Sequence, residues 1–434
     1  MRTICSSFLL SVMLEYTGRD DHQMITKDRT TGRSGSETGG EVVERREKLR
    51  EIDIVRAFAI LGVLLVHSTS FATVKMIESN LYGVYNFLNI FFKIGTSTFI
   101  FLSSFVLFYN YYEKPLTKQR IQKFYRNRLL YILIPYMLFS ALYYGIGWWN
   151  RGHVIGVEPL IEFFRKLATG SAYTHLYFVF ISIQFYILFP PLLWLFQRYR
   201  RLAALAVPIG IALQWAFFIM NKLEWQVPNR GSWALSYFSN YFLGAWLGMY
   251  FDRARAWLTV SRENATPGRA AAWVALWAVW LGAGFTHVWM WYETRLHGAR
   301  FHSQLYDAIW NVHTLATALV LMQLAFWLQR RASDRWPVRA LRHLGIVSFG
   351  VYLFHPLVLL VYRKFPPGSG MALLHHLWYA GGFACALVVS WLVVTIVSRS
   401  GRWSWLVFGT TGEQLRAERA ARRMAKHQPS SVAG

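Results

Sequence analysis

Three polar side chains in one apolar stretch define the chemistry this sequence can do. In EIDIVRAFAILGVLLVHSTSF, from Glu51 to Phe71, Asp53 and Arg56 stand near one end and His67 well inside. An imidazole, with an ordinary pKa near 6.5, can take a proton from a hydroxyl at neutral pH. A guanidinium can hold an anion. At about 100° per residue, His67 returns to within about 20° of Arg56, and Asp53 lies within about 40° of His67. The three share one stripe, with His67 about 16 Å beyond Arg56 along the axis. Ionisable groups cost roughly 2.5–3.5 kcal/mol each at the centre of a membrane helix and rarely face lipid. One polar stripe on a greasy helix therefore reads as the wall of a hydrated internal cavity. The competing reading is a core histidine bonded to a neighbouring helix, with Asp53 and Arg56 a boundary ion pair. The shared face favours function.

Three further groups have the right residue types. Arg126 and Arg128, in RNRLLYILIPY, stand at the mouth of a later apolar block, where guanidinium forks suit the phosphates of a soluble donor; ordinary flanking positive charge is the plainer account. In THLYFVFISIQFYILFPP, His175 and Tyr177 open a block at its outer end, where His175 can meet a polar acceptor. Gln184 falls about 180° from His175 and reads better as an interhelical hydrogen bond. In LGIVSFGVYLFHPLVLL, Ser348, Tyr352 and His355 stack on one face. Tyr352 there can orient a partner or donate to an oxyanion, and His355 precedes Pro356; a structural polar seam competes with that reading. No Ser–His–Asp set, Gly-rich phosphate loop or metal-ligand spacing competes with His67 as a base. Cys5 and Cys385 make neither a disulfide framework nor a metal site.

These residues need a membrane-embedded scaffold. The 434-residue chain is 54% hydrophobic and 16% charged, where a soluble chain has about 25% charged residues. The net charge of +24 raises nucleic acid as a partner, but the basic residues fall mainly between apolar blocks and no nucleic-acid motif accompanies them. An all-α, polytopic membrane bundle is expected, with about ten spans: Glu51–Phe71, Leu81–Asn110, Leu129–Trp149, His175–Phe196, Leu202–Met220, Trp233–Phe251, Ala270–Trp291, Leu305–Leu328, Leu344–Val361 and Leu377–Val397. Lys93 and Gly95 interrupt the second, Gly244 and Gly248 give the sixth a small-xxx-small face, and LIEFFRKLAT reads as an interfacial piece. Loops after even-numbered spans carry the greater share of Lys and Arg, which places both termini in the cytoplasm. Residues 1–49 read as a disordered cytoplasmic tail, with Met24 an alternative start; 50–398 form the transmembrane domain, and 399–434 a basic cytoplasmic tail.

IDIVRAFAILGVLLVH, TFIFLSSFVLFYNY, RNRLLYILIPY, THLYFVFISIQFYILFPPL and VSFGVYLFHPLVLL together resemble the acyltransferase 3 family of multi-pass membrane O-acyltransferases, over about Ile52 to Val397. The resemblance implies ten or more helices, an acyl-CoA donor (acetyl-CoA above all) bound from the cytoplasm, and an extracytoplasmic acceptor, commonly a sugar hydroxyl. It implies His67 as catalytic histidine with Arg56 as its polar companion, and Arg128 as the start of an Arg-x-x-Arg donor motif. The fourth position of that motif is Tyr131 here, so either Arg126 supplies the second charge or the donor is held less tightly. The second block reads SSF where the family usually has SGF. THLYF and QFY are similar to the members that modify surface polysaccharides, including intercellular adhesin-type proteins.

The expectation is therefore an O-acyltransferase of the cell membrane, with catalytic His67, Arg56 and Asp53. Arg126 and Arg128 would hold acyl-CoA, and His175, Tyr177, Gln184, Ser348, Tyr352 and His355 would serve the acceptor or support the site. Acyl-CoA would act as co-substrate, with no tightly bound cofactor, no metal and no nucleic acid; lipids and a carbohydrate or lipid-linked glycan would be the partners. An exporter of polysaccharide or lipid-linked sugar is the alternative, since a polar track across a bilayer also suits transport.

Overall fold

Helix α1, Glu51–Thr69, runs through the middle of the molecule because apolar side chains cover nearly its whole circumference. Ile54, Val55, Ala57, Ala59, Ile60 and Leu64 have no exposed surface. The structure, a computed structural model, describes residues 46–150, 152, 157–368, 372–401 and 403–427. Most of the stretch read as an N-terminal tail, with Cys5 and Met24, lies outside the described residues, as does the end of the chain beyond 427.

The second expected span is two helices, α2 (Tyr82–Phe91) and α3 (Gly95–Tyr111), parted where Lys93 interrupts the apolar run. Gly95 there lies against Val63 of α1, where a β-carbon has no room. Helix α4 (Lys118–Arg128), capped by the Thr117 side chain, passes through a widened turn at Leu129–Leu133 into α5 (Ile134–Asn150). The amphipathic α6 (Val157–Thr169) has no buried residue, as an interfacial helix would not. There follow α7 (Tyr177–Arg198), α8 (Ala206–Met220), α9 (Phe238–Met249), α10 (Pro267–Leu296), α11 (Ser303–Ala332), α12 (Trp336–Tyr362), α13 (Ala372–Ser400) and α14 (Thr411–His427). Among the described residues there is no strand, and nine helical stretches are long and apolar enough to cross a membrane. The fold is an all-α polytopic bundle.

One expected span is not a continuous helix. Trp233–Phe251 is evenly apolar, but its backbone passes through 3-10 turns at Arg230–Ser232 and Ala234–Tyr237 before α9, and a separate helix, Phe251–Leu258, follows. All of α9 but Trp246 is buried. Its Gly244 and Gly248 lie against the carbonyls of Phe101 and Phe105 in α3, as close as two helix backbones come. Its hydropathy serves contact with other helices more than contact with lipid.

Helices α12 and α1 meet the same way, with Gly345 set against the backbone of Asp53. The C-terminal segment folds back onto this pair. After the short helix Ser404–Phe408, Gly409 takes a positive φ of 60° against the Tyr131 carbonyl, where any side chain would collide. That turn launches α14, and Glu418 pairs with Arg342 of α12 at 2.9 Å.

Gly345→Ala should lower the unfolding free energy by about 1–3 kcal/mol through overpacking. Gly145→Ala, where a β-carbon meets nothing within 4 Å, should leave it unchanged or slightly raised. Thermal unfolding of detergent-purified variants checks the pair; equal melting temperatures would refute the close approach.

Candidate active site

The last turn of α1 carries His67, half-buried, and the site grows from its neighbours. The His355 ring of α12 stands 5.2 Å away, edge to face, and the His175 ring lies 5.7 Å beyond His355. His175 sits in the turn just before α7 and is fully buried, as is His355. Three imidazoles from three separate parts of the chain thus form one row. His355 Nδ1 lies 3.0 Å from the Val351 carbonyl. A carbonyl only accepts, so Nδ1 carries the proton and Nε2 keeps its lone pair, buried and without a partner. Neither ring nitrogen of His175 has a partner either. Among the described residues no carboxylate bonds to any of the three, and no group of His, Cys, Asp or Glu could hold a metal ion.

The row is held by a break in α12. Pro356 removes one helix donor there, and the Tyr143 hydroxyl enters the ladder beside it. It accepts from Leu357 N at 3.1 Å and donates to the Leu353 carbonyl at 2.8 Å. A hydroxyl inserted between i and i+4 partners is a recognised cause of helix bending. The Tyr143 ring also stands edge-on to His175 at 5.1 Å and stacks on Tyr173 at 4.5 Å. Tyr352 donates to the His175 carbonyl and sets its ring 5.2 Å from that imidazole. Arg363, just past α12, donates to the His67 carbonyl at 2.5 Å and lies over the Phe71 ring at 4.1 Å.

Toward the other end of α1 lies a cavity of about 570 Å³. Arg56, Arg128, Tyr131, Ser348, Tyr352 and Gln414 are among its lining residues. Arg56 is paired with the buried Asp53 at 3.0 Å, which fixes the guanidinium on the cavity wall. Arg128 lies 4.9 Å over Tyr186 and 5.4 Å over Phe124, and its Nε is buried without a partner. Tyr131 donates to Glu413 of α14 at 3.0 Å. Tyr352 belongs to both regions, since it lines the cavity and touches His175. The wall can therefore hold an anionic ligand by its guanidiniums and reach toward the imidazoles.

Of the residues singled out by sequence, His67, His175, Tyr352 and His355 come together, and Arg56, Arg128, Ser348 and Tyr352 share the cavity. Asp53 serves Arg56 and lies about 21 Å from the level of His67 along α1. Arg126 is exposed and does not line the cavity. The Tyr177 hydroxyl bonds Thr96 at 2.9 Å. Gln184 donates to Ser232 O at 2.9 Å and accepts from Ala234 N at 3.0 Å, holding the turns that lead into α9. Sequence reasoning missed Tyr143, Tyr173 and Arg363. Aromatic residues recur throughout the apolar blocks, and Arg363 looks like a flanking charge, so no local signal marked them. The C-terminal segment, set apart as a basic tail, supplies Thr410, Thr411, Glu413 and Gln414 to the cavity wall.

A comparison with family profiles matches residues 49–395 to the acyltransferase domain of the acyltransferase 3 type. No curated protein and no solved structure matches the chain.

Tyr143→Phe should leave Leu357 N and the Leu353 carbonyl without their partner and cost about 1–3 kcal/mol. Unfolding of the purified variant measures this, and Tyr173→Phe, whose hydroxyl has no role at the break, should cost less. Equal losses would show that the Tyr143 hydroxyl contributes nothing specific at the interrupted ladder.

Proposed function

The chain belongs to the acyltransferase 3 family and is a membrane acyltransferase; from that premise we propose that it moves an acyl group, acetyl above all, from cytoplasmic acyl-CoA to a hydroxyl of an extracytoplasmic or lipid-linked carbohydrate in the cell envelope. The observation that carries this reading is the single cavity that joins Arg56 and Arg128 to Tyr352, and through Tyr352 to the imidazole row.

In this reading both termini and the Lys/Arg-rich loops face the cytoplasm. The donor's phosphates meet Arg128, whose unpartnered Nε is a ready donor, and its thioester points toward Tyr352. His67 takes the proton from the acceptor hydroxyl, and the oxygen attacks the thioester carbonyl. The C–O bond forms, the C–S bond breaks, and the departing thiolate recovers the proton. Asp53 supports this from a distance by holding Arg56, and is not the partner that orients the imidazole. Because the Tyr352 hydroxyl already donates to the His175 carbonyl, Tyr352 acts as a positioning residue. His355, with its free Nε2 beside His67, offers a second basic nitrogen along the route.

The test is transfer of labelled acetate from acetyl-CoA to glycan by purified protein in lipid. His67→Ala should lower turnover by about 100-fold or more, the range of general-base catalysis. Retained turnover would end the proposal. In cells, the enzyme predicts glycan exported but under-acylated, whereas an exporter predicts glycan accumulating inside with its acylation intact.

The two neighbouring arginines separate by their setting. Arg128→Gln should raise KM for acetyl-CoA by roughly 10- to 100-fold, the weight of a charged hydrogen bond. Arg126→Gln should change it no more than about fivefold, as an exposed charge contributes about 1 kcal/mol at most. Equal effects would place the donor elsewhere.

A further inference from the structure

A second group of cations sits in the bundle between α2, α10 and α11, away from the cavity. Lys93, at the break between α2 and α3, and Arg295, near the end of α10, both lie over the Trp291 ring, at 5.9 and 5.0 Å from its centre. Two positive charges sharing one indole repel each other. Among the described residues neither has a carboxylate partner. The carboxylates nearest in sequence on α10 and α11 are taken, Glu293 by His297 at 2.9 Å and Asp307 by Arg230 at 2.7 Å.

The neutral groups around these cations are arranged as support. Arg295 donates to the side-chain oxygens of Asn86 at 3.1 Å and Asn89 at 3.2 Å, both buried. Trp291 donates its indole N–H to His287 Nε2 at 3.0 Å. His287 therefore carries its proton on Nδ1, and that N–H is buried with no partner, in a residue only 3% exposed. Leaving a buried donor unmet is costly, and native proteins do it where a water, ion or ligand completes the site. Snorkelling toward the membrane surface explains an exposed lysine, but not the arginine held over the same ring or the stranded imidazole N–H.

We infer that Lys93, Arg295 and His287 form an anion site for a phosphoryl group carried by the acceptor. A fork, a point charge and a neutral N–H suit a group with several acceptor oxygens and more than one negative charge. Lys93 and Arg295 belong to stretches long and apolar enough to cross a membrane, so a ligand with an apolar anchor can reach them from the lipid phase. The link to the first site is a single side chain: Asn89, which accepts from Arg295, donates to the Val66 carbonyl at 3.2 Å, one residue before His67. An acceptor anchored here by its phosphoryl group presents its neighbouring sugar to the end of α1.

This inference rests on the acyl-transfer reading for the word acceptor, but its test needs no turnover. Geranyl diphosphate should bind saturably to the full-length protein in phosphatidylcholine nanodiscs, and geraniol should not. Lys93→Gln, which removes a side chain with no hydrogen bond among the described residues, should weaken that binding at least tenfold, and Lys93→Arg should restore most of it. Arg295→Gln should weaken it further, while His67→Ala should bind like the wild type. Unchanged affinity in Lys93→Gln overturns the site. Displacement of the probe when phosphatidylglycerol replaces part of the phosphatidylcholine assigns the site to bilayer headgroups and overturns the acceptor. A protein that binds the probe as described but transfers no acetate would instead sink the acyl-transfer reading alone.

Discussion

The contact between α1 and α12 is the constraint on which the candidate site depends. Gly345 lets the two backbones meet at Asp53, and His355 meets His67 further along. The helices therefore run parallel, which brings two histidines nearly three hundred residues apart in sequence side by side. The steps are unequal, fourteen residues on α1 against ten on α12. At about 1.5 Å per residue the two paths would differ by about 6 Å in straight helices. Side chains reaching from different levels of the two helices span that difference, and the two imidazole rings stand 5.2 Å apart.

That arrangement stores unmet polar capacity in the interior. His175 has both ring nitrogens unpartnered, His355 has one, and Arg128 has a buried Nε without an acceptor. Each departs from the rule that buried polar atoms are paired, and the apolar packing of α1 and α12 offsets it. Where hydrogen bonding is complete, as for Gln184 in its turn or Gln197 on three carbonyls of the α3–α4 connection, the side chain is architecture. Violations of local consistency gather at functional sites, but unpartnered buried atoms occur elsewhere in the bundle as well, on Gln214, Asn240, Tyr241 and Gln323 among others, so the grouping of three imidazoles marks the site more than the unmet atoms alone.

The stripe on α1 was legible because a helix of known period converts spacing into azimuth without any knowledge of neighbours. The same arithmetic placed Ser348, Tyr352 and His355 on one face. It was silent on what faces what, so His175 looked like an isolated residue at a mouth, and Arg126 and Arg128 looked equivalent. Burial separates those two: α4 turns Arg128 onto Tyr186 and leaves Arg126 in solvent. Hydropathy did not show that the Trp233–Phe251 block is built of 3-10 turns and short helices, because it registers environment and not backbone continuity. The C-terminal wall of the cavity was hidden for the opposite reason. A basic segment reads as solvated, while Arg342–Glu418 and Tyr131–Glu413 tie it to the bundle.

The placement of charge bears on how such a site keeps its substrates apart. Arg56 and Arg128 stand on the cavity side, and Arg363, Arg295 and Lys93 near the C-terminal half of α1, with aromatic and imidazole rings between. A thioester that carries phosphates and an acceptor that carries a phosphoryl group would each be drawn to its own cations. Neither anion gains by crossing the apolar middle, where a charge has lost its water and found no partner. What can cross is a neutral acyl group, and what can receive it is a hydroxyl whose proton has somewhere to go. In the proposed reaction a row of imidazoles without carboxylates would suit that passage, because it could relay a proton without placing a fixed negative charge in the path of a departing thiolate.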